Sequence, residues 1–122
     1  MRAFVQSDLA EVNGWRLAHG LAGVALDQLP AAGQIEPDVA AGFLYATDSS
    51  IALLDGYITN PAAGLRERSR AVDEITSSLL RAAKAGGARS VVAVCLAGGI
   101  ARRARRFGLG FRGAARVLSG RL

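Results

Sequence analysis

One cysteine and one histidine in 122 residues leave no internal disulfide to form and argue against a His/Cys metal centre. Cys95 sits in the apolar run Val91-Val92-Ala93-Val94-Cys95-Leu96. A small buried hydrophobe is the plain reading there and a reactive thiol the alternative. No apolar run reaches the ~18 residues that a bilayer-spanning helix needs. The opening Met1-Arg2-Ala3-Phe4-Val5-Gln6-Ser7-Asp8 lacks the apolar stretch of a secretory leader. A cytoplasmic protein with no membrane partner is therefore expected. The aromatics are few, 6% of the chain, and only Phe107 and Phe111 lie in the arginine-rich C-terminal part. Nucleic-acid recognition by base stacking has little to work with there.

What is present is an uneven charge distribution. The net charge of +5 hides two halves of opposite sign. Residues 1–60 hold Arg2 and Arg16 against seven acids, and residues 61–122 hold thirteen bases against three acids. Fourteen of the fifteen bases are arginine, whose planar fork suits phosphate oxygens. GC-rich coding is the competing reason for so much arginine. Half the residues are apolar, 51%, so a chain of this length folds as one domain, 1–122, without covalent staples.

Hydrophobic period changes along the chain. Arg2 to Val5 is a short candidate strand. Ser7 or Asp8 can cap a helix to about His19, with Leu9, Val12, Trp15 or Arg16, and Leu17 near helical spacing. His19 beside Gly20 reads as a helix-end cap more readily than as a base. Residues 21–38, with Gly23, Pro30, Gly33 and Pro37, read as loop or weak helix. Val39 to Ala46 and Ile51 to Thr59 read as a hairpin turned by Thr47-Asp48-Ser49-Ser50.

Asn60-Pro61 breaks the second strand, and Ala62 to Arg68 is ambiguous between loop and helix. From Ser69 an amphipathic helix is expected, with Val72, Ile75, Thr76, Leu79 and Ala83 on one face and Gly86-Gly87 as its stop. Ser90 to Leu96 reads as a strand buried on both faces. A further helix is expected after Gly98-Gly99, with Ile100, Ala104 and Phe107 inward. Phe111 to Leu118 reads as a last strand. The sum is an α/β (α+β) domain, β-α-β-β-α-β-α-β, a mixed central sheet with helices on both faces.

This order of parts resembles the GCN5-related N-acetyltransferase family over most of the chain. Phe4-Val5-Gln6-Ser7-Asp8-Leu9 resembles the family's opening. Ile51-Ala52-Leu53-Leu54-Asp55-Gly56-Tyr57-Ile58-Thr59-Asn60-Pro61 resembles its central strand and exit, and Arg66 to Leu80 its phosphate-gripping turn and helix. Ala104-Arg105-Arg106-Phe107-Gly108-Leu109 resembles its final helix. Small members of this kind occur in bacteriophages and prophages. The family turn, Arg/Gln-x-x-Gly-x-Gly/Ala, is matched here to Arg68-Ser69-Arg70-Ala71-Val72-Asp73. Ala71 and Asp73 stand where glycines belong. The slot of the family's catalytic tyrosine falls at about Ala104.

The resemblance implies acetyl-CoA as co-substrate and an amine, on a small molecule or a protein, as acceptor. It places backbone groups around Tyr57, Ile58 and Thr59 on the pantetheine, and the amides of Ser69, Arg70, Ala71 and Val72 on the pyrophosphate, with Arg66 or Arg68 adding charge. Arg102 or Arg106 would reach the 3′-phosphate. Asp55 is the candidate base; its competing reading is a turn or solvent residue. Tyr45 and Tyr57 would shape the acceptor pocket, or else be half-buried sheet aromatics. For the arginines of 102–106, a solvated helix face competes with a phosphate contact. Three functions are open: an acetyl-CoA-dependent N-acyltransferase; a degenerate acetyltransferase-like subunit used in assembly or protein binding; and a small nucleic-acid module using the arginine face. An open sheet edge beside the last strand would also allow a homo-oligomer or an assembly partner, and the sequence does not fix the oligomeric state.

Overall fold

In a computed structural model, residues 1–94, 103, 105–110 and 113 are described. The elements are β1 (Arg2–Ala3), α1 (Leu9–Ala18), β2 (Ala32–Glu36), β3 (Ala40–Tyr45), β4 (Ile51–Thr59), α2 (Leu65–Ala85) and β5 (Ser90–Ala93), with single 3-10 turns at Gln6–Asp8, Leu26–Gln28 and Arg105–Phe107. They build one five-stranded sheet in the order β1-β2-β3-β4-β5. The first four strands run antiparallel to their neighbours. β5 returns parallel to β4 after the α2 crossover, as a strand–helix–strand unit must.

The two helices cover opposite faces. On one, the α2 stripe Ala71, Val72, Ile75, Leu79 and Ala83 buries Ala40, Leu44, Ala52 and Leu54. On the other, Val12 and Trp15 of α1 pack on Ile35, Ala41, Phe43 and Ile58. Successive strand residues face opposite sides, so neighbours such as Ala40 and Ala41 feed different cores.

Two expectations need correction. Residues 21–38 contain a full strand, β2. Its sequence Ala32-Gly33-Gln34-Ile35-Glu36 carries only one β-branched residue, and pairing with β3 decides its state. A Cβ at Gly33 would lie 2.6 Å from the Phe43 ring, so the glycine that reads as a loop signal makes room for an aromatic. β5 is not buried on both faces: Val92 is 41% exposed, and Val94, just past its end, 42%. α2 begins at Leu65, so the helical alternative for Ala62 to Arg68 holds from that residue on. Its first turn projects past the sheet, leaving Leu65 78% exposed, so no apolar periodicity announces it. Cys95, Arg102, most of the expected third helix, after Gly98-Gly99, and nearly all of the expected strand Phe111 to Leu118 lie outside the described residues.

Candidate functional site

The centre of the sheet holds a β-bulge. Ala41 pairs with Ile58, but Phe43, two residues on, pairs with Asp55, so β4 carries one extra residue. Gly56 takes φ +70° there, a left-handed conformation that glycine adopts at no steric cost. The bulge reverses the facing of the residues beyond it. Leu54 faces α2 and Asp55 the α1 side; after Gly56, Tyr57 packs on the α2 core and Ile58 on the α1 core.

Beyond the bulge β4 outruns its neighbour. The last β4–β5 pair is Leu54 with Ala93, closed by Val94 N donating to the Leu54 carbonyl at 3.4 Å. The Asp55–Thr59 segment continues past the end of β5, paired with β3. The chain then turns through Asn60–Ala63 to Gly64, the extended residue preceding α2 (φ −64°, ψ 150°), which supplies no side-chain cap. The first bonded amide of the turn is Arg68 N, on the Gly64 carbonyl. Among the described residues the amides of Leu65, Arg66 and Glu67 have no hydrogen-bond partner, at the positive end of a 21-residue helix.

The residues expected to form the anion corner stand within α2. Ser69, Arg70, Ala71 and Val72 lie in the second and third turns, where amides bond within the helix, and the side chains of Ala71 and Val72 are core. Arg66 is exposed on the first turn. Arg68 continues the buried stripe toward the sheet. It is half-buried, and its Nε has no hydrogen-bond partner among the described residues. Arg70 is exposed. Ser69 instead receives Arg103: Nη2 donates to its Oγ at 2.5 Å and Nη1 to its carbonyl at 3.3 Å. Asp73, one turn on, lies 3.3 Å from Arg103 Nε and 3.8 Å from Arg106 Nη1. Its carboxylate thus points at the C-terminal arginines, away from the free amides.

Tyr57 and Asp55 flank the bulge on opposite faces. The Tyr57 hydroxyl is 3.0 Å from Thr76 Oγ1, which in turn donates to the Val72 carbonyl at 2.7 Å; it is a strut between β4 and α2. Asp55 is half-buried on the α1 side, close enough to Tyr45 for its charge to act on the phenol. Burial first, then that charge, raises the Tyr45 pKa above the usual value, with Arg16 opposing. The Thr59 carbonyl accepts from Nε2 of His19 at 2.9 Å. A carbonyl can only accept, so Nε2 carries the proton. His19 also closes α1 through its own amide, as its position before Gly20 suggests.

Sequence reasoning misses the bulge, the amides of residues 65–67 and the Arg103 clamp. Gly56 inside a β-rich run is the available signal for the first. Gly64 after Asn60-Pro61 is the signal for the second. Among the described residues there is no cluster of His, Cys, Asp or Glu able to hold a metal, and no helix long and apolar enough to cross a membrane.

The chain matches solved acetyltransferases in fold. A Trypanosoma brucei acetyltransferase superposes with TM-score 0.65 at 12% identity, over 99% of this chain and 97% of the other. An aminoglycoside N-acetyltransferase in complex with CoA superposes with TM-score 0.54 at 19% identity, over 99% and 97%. This is an acetyltransferase fold. No protein-family model matches the sequence, and no curated protein matches it.

Proposed function

We propose that the protein is an acetyl-CoA-dependent N-acyltransferase of the GCN5-related kind acting on an amine. One observation carries this reading: a bulged central strand that runs past the end of β5 leads directly into a helix start with no side-chain cap. Backbone groups of Tyr57, Ile58 and Thr59 along that stretch suit the amide-rich arm of the donor. The amides of Leu65, Arg66 and Glu67 suit its diphosphate, with Arg66 and Arg68 supplying charge and Arg106 within range of a further phosphate. The fold neighbour bound to CoA supports the same donor.

The chemistry asks little covalent help of the protein. The amine nitrogen attacks the thioester carbonyl, the C–S bond breaks, and the thiolate leaves with the donor. The protein holds the partners in line and stabilises the oxyanion with main-chain N–H groups. Asp55, a carboxylate beside the bulge, receives the amine proton directly or through water. The acceptor is an amine on a small molecule or a protein.

The direct test is thermal unfolding with acetyl-CoA. A ligand that binds only the folded state stabilises by about 2.7 kcal/mol at a hundred times its Kd. A rising midpoint that saturates supports the reading. An unchanged midpoint at millimolar acetyl-CoA removes the enzyme and leaves the scaffold as an assembly or protein-binding subunit.

A further inference from the structure

The donor corner stands on a loop whose bonds converge on one residue. Asn60, at the exit of β4, uses all its polar groups. Its amide donates to the Val39 carbonyl at 2.8 Å, and its carbonyl accepts from Ala63 N at 3.1 Å. Its Nδ2 donates to the Asp38 carbonyl at 2.8 Å, and its Oδ1 accepts from Ala62 N at 2.9 Å. Pro61 comes next, which biases Asn60 toward extended backbone and leaves the side chain to define the turn.

The far end of this network is equally fixed. Asp38 is the only non-glycine residue with positive φ among the described residues, at +66°. Its amide donates to Glu11 Oε1 at 2.8 Å. A chain of bonds therefore runs from α1, through the turn between β2 and β3, to Asn60 and on to the loop that delivers Gly64. His19, also from α1, bonds the preceding carbonyl at Thr59.

We infer that Asn60 is a positioning residue for the phosphate end of the acyl donor, setting where the amides of Leu65, Arg66 and Glu67 point. This rests on the acetyl-CoA reading. The polar groups of Asn60 are all engaged within the protein, so its role is indirect. It acts by fixing the loop through Oδ1 and by tying that loop to Asp38 through Nδ2. A shift of about an ångström at the loop would disperse three amides that must converge on one diphosphate.

The test compares two ligands on one protein. Coenzyme A carries the diphosphate; pantetheine is the same arm without it. Affinities are measured for wild type, N60A and N60S by calorimetry for coenzyme A and by chemical-shift titration for pantetheine, with the melting midpoint followed for each. N60A removes both side-chain bonds and is expected to lose about tenfold in coenzyme A affinity with pantetheine unchanged. N60S, whose hydroxyl can still accept from Ala62 N in the weaker serine version of the turn, recovers part of the loss and serves if N60A does not fold. Equal coenzyme A affinity in the variants, or an equal loss toward both ligands, overturns the inference while the acetyl-CoA reading stands. Wild type that binds no coenzyme A overturns the acetyl-CoA reading itself, and the inference with it.

Discussion

Tyr57 lies against the bare face of Gly42. A Cβ at Gly42 would stand 2.8 Å from Tyr57 Cε1, 2.9 Å from Cδ1 and 3.0 Å from Ile75 Cγ2, between a ring and a fully buried isoleucine. Gly42→Ala is therefore expected to destabilise by about 1–3 kcal/mol, the usual cost of overpacking, read as a lower urea midpoint. In a Tyr57→Ala background, where the ring is gone, the same change should cost much less. Equal costs in the two backgrounds would show that the ring does not occupy that space. Tyr57→Phe alone should cost about 1 kcal/mol for the lost hydroxyl bond. That variant also separates the strut from chemistry: a strut predicts retained acetyl transfer at temperatures where the variant is folded.

Gly56 makes the bulge possible and stands 3.0 Å, at a built Cβ, from Phe43 Cδ2. Gly56→Ala places a side chain in a left-handed conformation at a cost of about 1–2 kcal/mol, with the Phe43 contact adding to it. Loss of the bulge would also return Tyr57 and Ile58 to the wrong faces. The expected result is a lower unfolding midpoint together with weaker coenzyme A binding. Full stability in Gly56→Ala would mean that the strand does not need positive φ at this position.

Much of this architecture is legible without coordinates. The α2 stripe, the β3–β4 hairpin and α1 each carry their own period, because each buries one face against the sheet. β2 is not legible, because its alternation is written in Ala, Gly and Gln, and its state is decided by Phe43 and β3. The start of α2 is not legible either. Leu65, Arg66 and Glu67 touch no core, so nothing in the pattern distinguishes them from the loop before. That four-residue difference in the helix start puts residues 69–72 inside the helix and residues 65–67 in its first turn. Asp73, which stands where the family turn has a glycine, belongs to the third turn and faces Arg103.

Asp8 is 5% exposed and is gripped by both terminal nitrogens of Arg2, at 2.8 and 2.7 Å, and by the Val5 amide at 2.8 Å. The Arg2 bonds hold its carboxyl below the usual range, with the Val5 amide assisting and burial opposing. A depressed native pKa means that the folded state favours the carboxylate. Its contribution is complete above the unfolded value, about pH 4, and is lost as pH falls through the native one. Arg2 is half exposed, so the contribution is set at about 1 kcal/mol. Asp8→Asn should lower the urea midpoint at pH 7 and flatten its fall between neutral and acid pH. Parallel curves for variant and wild type would show that Asp8 titrates alike in both states.

Tyr45 reports on Asp55. The phenol is raised above its usual pKa chiefly by burial and secondly by the Asp55 charge, while Arg16 pulls it down. Raised in the folded state, it contributes stability at pH values below the unfolded pKa, about 10, and that contribution is lost as pH rises through the native value. The chain has two tyrosines, so a Tyr57→Phe background isolates the signal, and the phenolate absorbance tracks it. Asp55→Asn should lower the midpoint part of the way toward about 10, leaving the burial component; Arg16→Gln should raise it. The same Asp55→Asn protein should lose acetyl transfer while keeping coenzyme A affinity, since Asp55 is assigned to the acceptor's proton and not to the donor. A phenol midpoint unmoved by Asp55→Asn would place the carboxylate away from Tyr45, and with it remove the basis for setting the acceptor amine on the α1 side of the bulge.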